Sequence, residues 1–156
     1  MGQGDQGKTD LLSGKKVAKS ALIIEILGEL DELSAFLDLI ISKKPQIKIQ
    51  KILEEISKNL TDIAAHLAQE KDLDLSQTVK KFESLIVDIE SKLKPLHEFV
   101  HFQRNEKAAF INIARTISRR AERKVFQMKK PPLEIGKYLN RLSRLLFTLA
   151  RRQKEA

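Results

Sequence analysis

Apolar residues recur every three or four positions in five long stretches of this chain, and this spacing limits the fold more than any other feature. A period of that length places the side chains on one face of an α-helix, and no stretch shows the alternation of a half-buried strand. The pattern therefore predicts five amphipathic helices and no strand, with helices at residues 20–42, 45–69, 75–93, 105–128 and 133–152. Three polar residues are the predicted N-caps, namely Ser20, Ser76 and Asn105.

The connections between these helices are short, so neighbouring helices should run antiparallel. The predicted fold is all-α: a five-helix up-and-down bundle with a four-helix-bundle-like core, ferritin-like in general appearance. A chain of 156 residues suits a single core. We expect a flexible N-terminal segment at residues 1–19 and one helical bundle domain at residues 20–156.

Composition narrows the class of protein and of partner. The net charge of +8 comes from 29 Lys and Arg against 21 Asp and Glu, which favours anionic partners such as nucleic acid or a phosphorylated small molecule. Cys is absent, which excludes disulfides and thiolate metal sites and is typical of the reducing cytoplasm. No apolar run reaches the roughly 18 residues of a membrane span. The expected protein is therefore cytoplasmic, with no membrane partner.

Basic residues are concentrated in the fourth predicted helix. That helix contains Arg115, Arg119, Arg120, Glu122 and Arg123. At about 100° per residue, these arginines border the apolar face. A guanidinium beside apolar packing loses hydration and requires a carboxylate or a phosphate, which its donor fork can bind in bidentate fashion. The alternative is a solvated basic face with surface salt bridges.

Two sequence motifs match known sites by letter but not by context. Residues 2–9 satisfy the phosphate-loop pattern G-x-x-x-x-G-K-[ST], yet no buried strand precedes them. His97 and His101 have the spacing of the zinc-protease motif, which requires one helical face and a third ligand, but Pro95 is two residues upstream. The sequence therefore favours a coincidental match for both, and His66 is interpreted as a core histidine.

Several separated blocks together resemble the PduO-type ATP:cob(I)alamin (corrinoid) adenosyltransferase family. Their order and spacing agree over nearly the whole chain. The blocks are Gly4-Asp-Gln-Gly-Lys-Thr9, Gly14-Lys-Lys-Val-Ala-Lys19, Glu25-Ile-Leu-Gly-Glu-Leu-Asp-Glu-Leu-Ser34, Arg115-Thr-Ile-Ser-Arg-Arg-Ala-Glu-Arg123 and Tyr138-Leu-Asn-Arg-Leu-Ser-Arg-Leu-Leu-Phe147. The arginine block and the Asn-Arg-Leu-Ser stretch are the most specific of them.

This resemblance implies a homotrimer of five-helix subunits, with ATP and a corrinoid bound in clefts between neighbouring subunits. The implied reaction transfers the 5'-deoxyadenosyl group of ATP to Co(I) of cob(I)alamin and releases triphosphate. ATP, Mg²⁺ and cob(I)alamin as co-substrate are the expected small molecules. A reductase or a cobalamin-dependent enzyme would be the protein partner, and no nucleic acid is expected.

The resemblance also implies roles for individual residues. The residues implied to bind ATP are Gly4, Asp5, Gly7, Thr9, Lys19, Arg119, Arg120, Glu122, Arg123 and Asn140. Mg²⁺ would arrive with ATP, and Glu122 is the one side chain considered near it. The implied catalytic residues are Asp31, Arg115, Arg119 and Phe99. Asp31 would pair with Arg115, and Phe99 would fill the space below the corrin ring. The alternatives are an exposed Asp31, a core Phe99 and a surface amide at Asn140.

The chain also departs from the family pattern near the expected corrinoid. Residues 101–104 read His-Phe-Gln-Arg where the family usually has Leu-Pro-Gly-Gly, and Arg144 replaces a usual aspartate. Ser34 replaces a common asparagine, and Gln3 replaces a threonine. Two alternative functions therefore stay open: a basic helical bundle that binds nucleic acid without catalysis, and an ATP-binding family member that has lost its activity.

Overall fold

The computed structural model describes residues 5–69 and 72–155, and five helices account for most of them. The predicted all-α five-helix fold is confirmed. The helices are α1 (Leu22–Ser42), α2 (Ile47–Gln69), α3 (Ser76–Glu90), α4 (Glu106–Val125) and α5 (Leu133–Lys154). Within the described ranges, none of these helices is both long enough and apolar enough to cross a membrane.

Helix α5 is the central helix of the bundle. It packs most extensively against α4 and also contacts α3 and α2, while α1 packs against α4 and α2. Gly136 of α5 allows the closest approach, since a Cβ atom there would come 2.5 Å from the Phe126 ring at the end of α4. α2 and α3 are consecutive but not closely packed, and Lys81 bridges them through a 2.6 Å ion pair with Glu55.

The core consists of the apolar positions that the 3.6-residue period identified. Ile26, Leu33, Leu53 and Leu142 are among its fully buried side chains, and each such side chain contributes roughly 1.5–3 kcal/mol when it leaves water. The aromatic rings of Phe82 and Tyr138 pack with their centroids 5.3 Å apart. Burial of this apolar surface, rather than helix propensity alone, stabilises the helices.

The predicted helix caps are partly wrong. Asn105 is an N-cap as predicted, because its Oδ1 accepts a hydrogen bond from the Ala108 N–H at 3.0 Å. The helix α1 begins after Ala21 instead of Ser20, with no side-chain cap. Leu75, rather than Ser76, occupies the N-cap of α3, while Asp74 Oδ1 accepts from the Ser76 N–H at 2.8 Å. Of the three predicted N-caps, only Asn105 is therefore confirmed.

The sequence predicted no strand, and this prediction is wrong for the N-terminal segment. Two short strands, β1 (Lys8–Asp10) and β2 (Lys16–Ala18), form an antiparallel hairpin in which Thr9 pairs with Val17. Gly14 in the turn has φ +80°, a backbone conformation that suits glycine. Strands of three residues are too short to produce a recognisable alternation in the sequence.

The hairpin packs on the end of the bundle where α4 finishes. The Ser13 N–H donates to the Ala68 carbonyl at 3.2 Å, which links the hairpin to the end of α2. A cavity of about 390 Å³ lies between Leu11 and Val17 of the hairpin, Ile23 of α1 and Met128 after α4. The N-terminal segment is thus placed at the same end of the molecule as the second half of the arginine helix.

Candidate active site

A stripe of three arginines, Arg115, Arg119 and Arg123, runs along α4. They are four residues apart, so they lie on one face, with about 6 Å of helix rise between successive members. Arg115 and Arg119 are half-buried and Arg123 is exposed. Like charges at this spacing repel each other, and an anion placed between them would relieve that repulsion.

Arg119 is held in place by a buried polar network between α4 and α5. Its Nη1 donates to Glu122 Oε2 at 2.6 Å, and Asn140 Nδ2 donates to Glu122 Oε1 at 2.9 Å. Arg141 Nη1 in turn donates to Asn140 Oδ1 at 2.8 Å. Glu122 is only 7% exposed, whereas the Arg119 side chain is 43% exposed. The network therefore fixes Arg119 while leaving part of its guanidinium open to a ligand.

Arg115 has no carboxylate partner among the residues that the structure describes. Its Nε donates to Asn112 Oδ1, a neutral acceptor, at 2.7 Å. Burial lowers the pKa of Arg115 below its ordinary value, and the charge of Arg119 lowers it further. Arg115 is still protonated at neutral pH. Arg119 and Arg120 have glutamate partners, whereas no carboxylate of the described residues neutralises the charge of Arg115.

The predicted pair of Asp31 with Arg115 is not formed within one chain. Asp31 is exposed on α1 and has no ion pair with any residue in the described ranges. The α1 carboxylates that face α4 are Glu25, Glu29 and Glu32. Since two helical residues turn by about 200°, Asp31 points away from the side on which Glu29 meets α4.

Arg120 faces α1 instead of the arginine stripe. It forms ion pairs with Glu29, at 2.5 Å, and with Glu32, and Lys124 reaches Glu25 and Glu29 at 2.9 Å. Burial acts to raise the pKa of Glu29, but hydrogen bonds from Lys124 and Arg120 outweigh it and hold that pKa below its ordinary value. The predicted phosphate contact of Arg120 stays a prediction, and its observed partners are carboxylates.

The predicted ATP-binding residues of the N-terminus lie mostly on the exposed hairpin. Gly4 is outside the described residues, and Asp5 and Gly7 are exposed. Gly7 has φ +72°, and its carbonyl accepts the Lys19 N–H at 2.8 Å, which closes the open end of the hairpin. The side chains of Thr9 and Lys19 have no hydrogen bond to the described parts of the chain. They are available to a ligand.

Phe99 is 83% exposed, so the alternative of a core phenylalanine is excluded. It lies in the non-helical connection 91–105 and borders a pocket of about 670 Å³. The pocket brings this connection together with α4 and α5, and its lining residues are Leu96, His97, Glu98, Phe99, Val100, Phe102, Asn112, Arg115, Arg119, Ser143, Arg144 and Phe147. Two residues of the arginine stripe therefore share a pocket with Phe99.

The same connection excludes a helical zinc motif. His97 and His101 lie in irregular backbone, so they share no helical face, and the His101 ring packs edge-on against Phe99 at 5.4 Å between centroids. The described ranges contain no group of three or more His, Asp or Glu arranged for a metal. Each oxygen of Glu122 accepts one hydrogen bond, from Arg119 or from Asn140, and a place for Glu122 near magnesium stays a prediction.

The P-loop alternative also fails on context. The residues after Gly7 enter a strand, whereas a phosphate loop leads into a helix N-terminus. Sequence reasoning missed Asn112, Arg141 and Glu90, which support the site. The partner of Glu90 is distant in sequence, whereas the three-residue spacing of Asn112 and Arg115 on one helix was a usable signal. The spacing of Glu25, Glu29 and Glu32 was a usable signal for the α1 carboxylates, since it places them on one face.

The solved structures most similar in fold include two from Lactobacillus reuteri. An arginine-to-lysine variant of its PduO-type ATP:co(I)rrinoid adenosyltransferase, complexed with ATP, superposes with a TM-score of 0.88 and is 26% identical, covering 98% of this chain and 92% of that one. A phenylalanine-to-histidine variant, complexed with cobalamin and ATP, superposes with a TM-score of 0.91 at 24% identity, covering 98% and 89%. The latter likeness supports the fold alone.

Proteins similar to this chain in sequence are also corrinoid adenosyltransferases. Corrinoid adenosyltransferase PduO of Citrobacter freundii is 33% identical over 161 residues, which cover 95% of this chain and 47% of the relative. The corrinoid adenosyltransferase of Bacillus subtilis is 33% identical over 159 residues, covering 95% and 82%. This chain spans about half the length of the PduO relatives of Citrobacter freundii and Salmonella typhimurium. The cobalamin adenosyltransferase family profile matches residues 1–153, and the chain therefore belongs to the cobalamin adenosyltransferase family.

Proposed function

We propose that this protein transfers the 5'-deoxyadenosyl group of ATP to Co(I) of a reduced corrinoid and releases triphosphate. The observation that carries the proposal is the shared pocket, where Phe99 meets Arg115 and Arg119 of the arginine stripe. Membership of the family and relatives named as corrinoid adenosyltransferases support it. The solved ATP complex of a relative at 26% identity supports ATP as one substrate.

In this reaction Co(I) attacks the 5' carbon of the ribose. A Co–C bond forms as the bond from that carbon to the triphosphate oxygen breaks, and the bonding electrons leave with the triphosphate. Charge accumulates on the leaving oxygen, and Arg119 is the fixed cation best placed to stabilise it, because the Glu122 network holds it in position. Arg123, exposed one turn further along α4, extends the positive stripe toward the rest of the triphosphate.

No side chain has to remove a proton, because Co(I) is itself the nucleophile. Phe99 would act by occupying the space below the corrin ring, where it excludes a lower ligand and water. Its high exposure fits this role, since the ring is uncovered until a flat apolar partner packs on it. Mg²⁺ bound to the triphosphate stays an expectation from the family resemblance, with Glu122 as the one side chain considered near it.

A homotrimer with ATP at the subunit boundary stays part of the proposal. Asp31 of one protomer would meet Arg115 of its neighbour, because both lack an ionic partner within the described chain. Such an intersubunit pair would neutralise a half-buried guanidinium that burial destabilises. The exposed Lys19 and the half-buried Thr9 would face ATP in the same cleft. A cytoplasmic location stays the prediction of the sequence.

The direct test is formation of adenosylcobalamin from ATP and chemically reduced cobalamin. We expect the spectrum of a Co–C bonded corrinoid together with one equivalent of triphosphate per turnover. Release of ADP or of free phosphate at that rate would contradict the proposed bond cleavage. ATP binding without adenosylation would favour the family member that has lost activity.

The nucleic-acid alternative requires a different measurement. The net charge of +8 favours polyanions in general, and a genuine nucleic-acid binder loses affinity steeply with added salt. Titration of the protein with single- and double-stranded DNA and RNA at several salt concentrations tests this. Tight binding with a steep salt slope, combined with no adenosylation, would replace our proposal with the alternative.

A further inference from the structure

The pocket beside Phe99 is lined by more positive charge than the binding of phosphate requires. Three guanidiniums line it, those of Arg115, Arg119 and Arg144, against one lining carboxylate, Glu98. Arg119 is assigned to the triphosphate in the proposed function, on which this inference rests. Arg144 belongs to α5, whereas the arginine stripe belongs to α4.

Arg144 is displaced along α5 from the phosphate end of the site. It follows Asn140 by four residues, which is one turn and about 6 Å of helix rise. Its Nη2 donates to Glu90 Oε2 at 3.0 Å, and Glu90 Oε1 accepts from Thr148 Oγ1 at 3.1 Å. The Arg144 side chain is nevertheless 62% exposed. One hydrogen bond to Glu90 therefore leaves most of its donors free to face the pocket.

Corrinoids, the proposed co-substrates, differ in the charge of their side chains, and a positively charged wall would bind the negatively charged ones better. A corrin ring carries acetic and propionic acid side chains around its rim, which are amides in cobalamin and free carboxylates in incompletely amidated corrinoids. A ring seated on Phe99 would extend these side chains toward the pocket walls. A guanidinium binds a carboxylate through charge-assisted, bidentate hydrogen bonds, and an amide oxygen offers only a neutral acceptor.

We propose that Arg144, on the α5 wall of this pocket, makes the protein prefer corrinoids with free rim carboxylates over fully amidated ones. Arg115 lines the same pocket, but Asp31 of a neighbouring protomer would neutralise it in the proposed assembly, so Arg144 is the cation left to meet a rim carboxylate.

A structural role for Arg144 is the competing explanation. Glu90 is the last residue of α3, so its ion pair with Arg144 could simply anchor the start of the connection that carries Phe99. The two roles differ in what Glu90→Gln does. Under anchoring, Glu90→Gln and Arg144→Gln should act alike, because each breaks the same pair. Under charge selection, Glu90→Gln releases Arg144 and preserves or strengthens the carboxylate preference.

The experiment compares cobalamin with cobyrinic acid a,c-diamide, both reduced to Co(I), at saturating ATP. The readout is the ratio of their kcat/KM values. We expect the native protein to favour the carboxylated corrinoid by about five- to tenfold, as for a partly exposed charge pair. Arg144→Asp should lower the ratio by tenfold or more, Arg144→Gln should lower it less, and Glu90→Gln should not lower it. Added salt should shrink the ratio in the native protein, because exposed charges are screened.

Affinity measured without turnover separates this inference from the proposed function. Spectral titration with the Co(II) forms of both corrinoids should reproduce the ratio and its loss in Arg144→Asp. Normal adenosylation of cobalamin with an unchanged ratio in Arg144→Asp would overturn the inference alone. Equal effects of Arg144→Gln and Glu90→Gln on the ratio would also overturn it. Failure to adenosylate either corrinoid would overturn the proposed function, while the titration would still decide the charge preference.

Discussion

The two halves of the candidate site are organised in opposite ways. On the phosphate side, the side chains of Arg119, Glu122 and Asn140 are joined by hydrogen bonds across the buried boundary of α4 and α5. On the corrinoid side, Phe99 lies in a connection without helical structure, and its ring is almost fully exposed. One half is held by hydrogen bonds within the single chain, and the other presents a ring that only the His101 side chain touches edge-on among the aromatic residues described.

This difference indicates how the two halves would meet their substrates. The phosphate side is preorganised, so little reorganisation is needed when charge develops on the leaving group. The corrinoid side gains its contacts only when a flat apolar molecule covers Phe99 and water leaves. Substitutions on the first side should therefore affect both catalysis and stability, whereas substitutions on the second should affect catalysis alone.

The largest expected effect is that of Arg119→Ala. We expect kcat/KM for ATP to fall by about 10²- to 10³-fold, because a fixed cation that stabilises the leaving charge is lost. Steady-state adenosylation with saturating Co(I) corrinoid measures it. The matched control is Arg152→Ala, which removes an exposed arginine near the far end of α5. Normal kinetics in Arg119→Ala would contradict the phosphate assignment.

Glu122→Ala should be the most destabilising change on the phosphate side. It leaves the Asn140 amide and one Arg119 donor without their buried acceptor, so the free energy of unfolding should fall by about 1–3 kcal/mol. Urea denaturation followed by circular dichroism measures this. Glu106→Ala, which removes an exposed carboxylate paired with Lys43, should change it by about 0.5 kcal/mol or less. Equal losses in both variants would show that the network is not a structural element.

Phe99→Ala should separate catalysis from stability. We expect Co(I) formation on the protein to fall by about tenfold or more, since water and a lower ligand would reach the cobalt. ATP affinity and the free energy of unfolding should stay near the native values, because the ring is exposed. Reduction of the bound Co(II) corrinoid, followed by absorbance, tests the first part. Leu133→Ala is the control for loss of an exposed apolar side chain outside the pocket.

The smallest effect concerns the pH dependence of stability at the α1–α4 ion pairs. The pKa of Glu29 is lower in the folded chain than in the unfolded chain. Ionised Glu29 therefore adds to the free energy of unfolding above the unfolded pKa of about 4.3, and this addition is lost as pH falls through the folded pKa. Glu29→Gln should therefore flatten the acid limb of the stability curve and leave its shape near pH 7 unchanged. Denaturation at several pH values between about 3 and 7 measures it. An acid limb as steep as in the native protein would contradict the assignment.

The helices and the core were predictable because their signal repeats. The apolar period fixed the five helices and placed Leu33, Leu53 and Leu142 in the interior. The hairpin was missed because three-residue strands carry no period. Its turn was nevertheless marked by Gly14, the kind of residue that a left-handed turn requires.

The site was predicted less completely, because partners on other helices cannot be read from one helix. Periodicity placed Arg115, Arg119 and Arg120 beside the core but did not separate their directions. One residue of helix turns the side chain by about 100°, and this step sends Arg120 to Glu29 while Arg119 meets Glu122. The pairing of Asp31 with Arg115 was predicted from the family resemblance. A contact between two protomers cannot be seen in the structure of a single chain.

The close approach of Gly136 to Phe126 has an evolutionary consequence. It belongs to the most extensively packed pair of helices, α4 and α5, and the same pair holds Glu122 and Asn140. A larger residue at Gly136 would collide with the outer edge of the Phe126 ring, which is half exposed and would have to turn away. Adaptation of this chain to new substrates should therefore accumulate in the connection around Phe99, whose side chains are mostly exposed, rather than at the α4–α5 boundary, where Asn140 donates to Glu122.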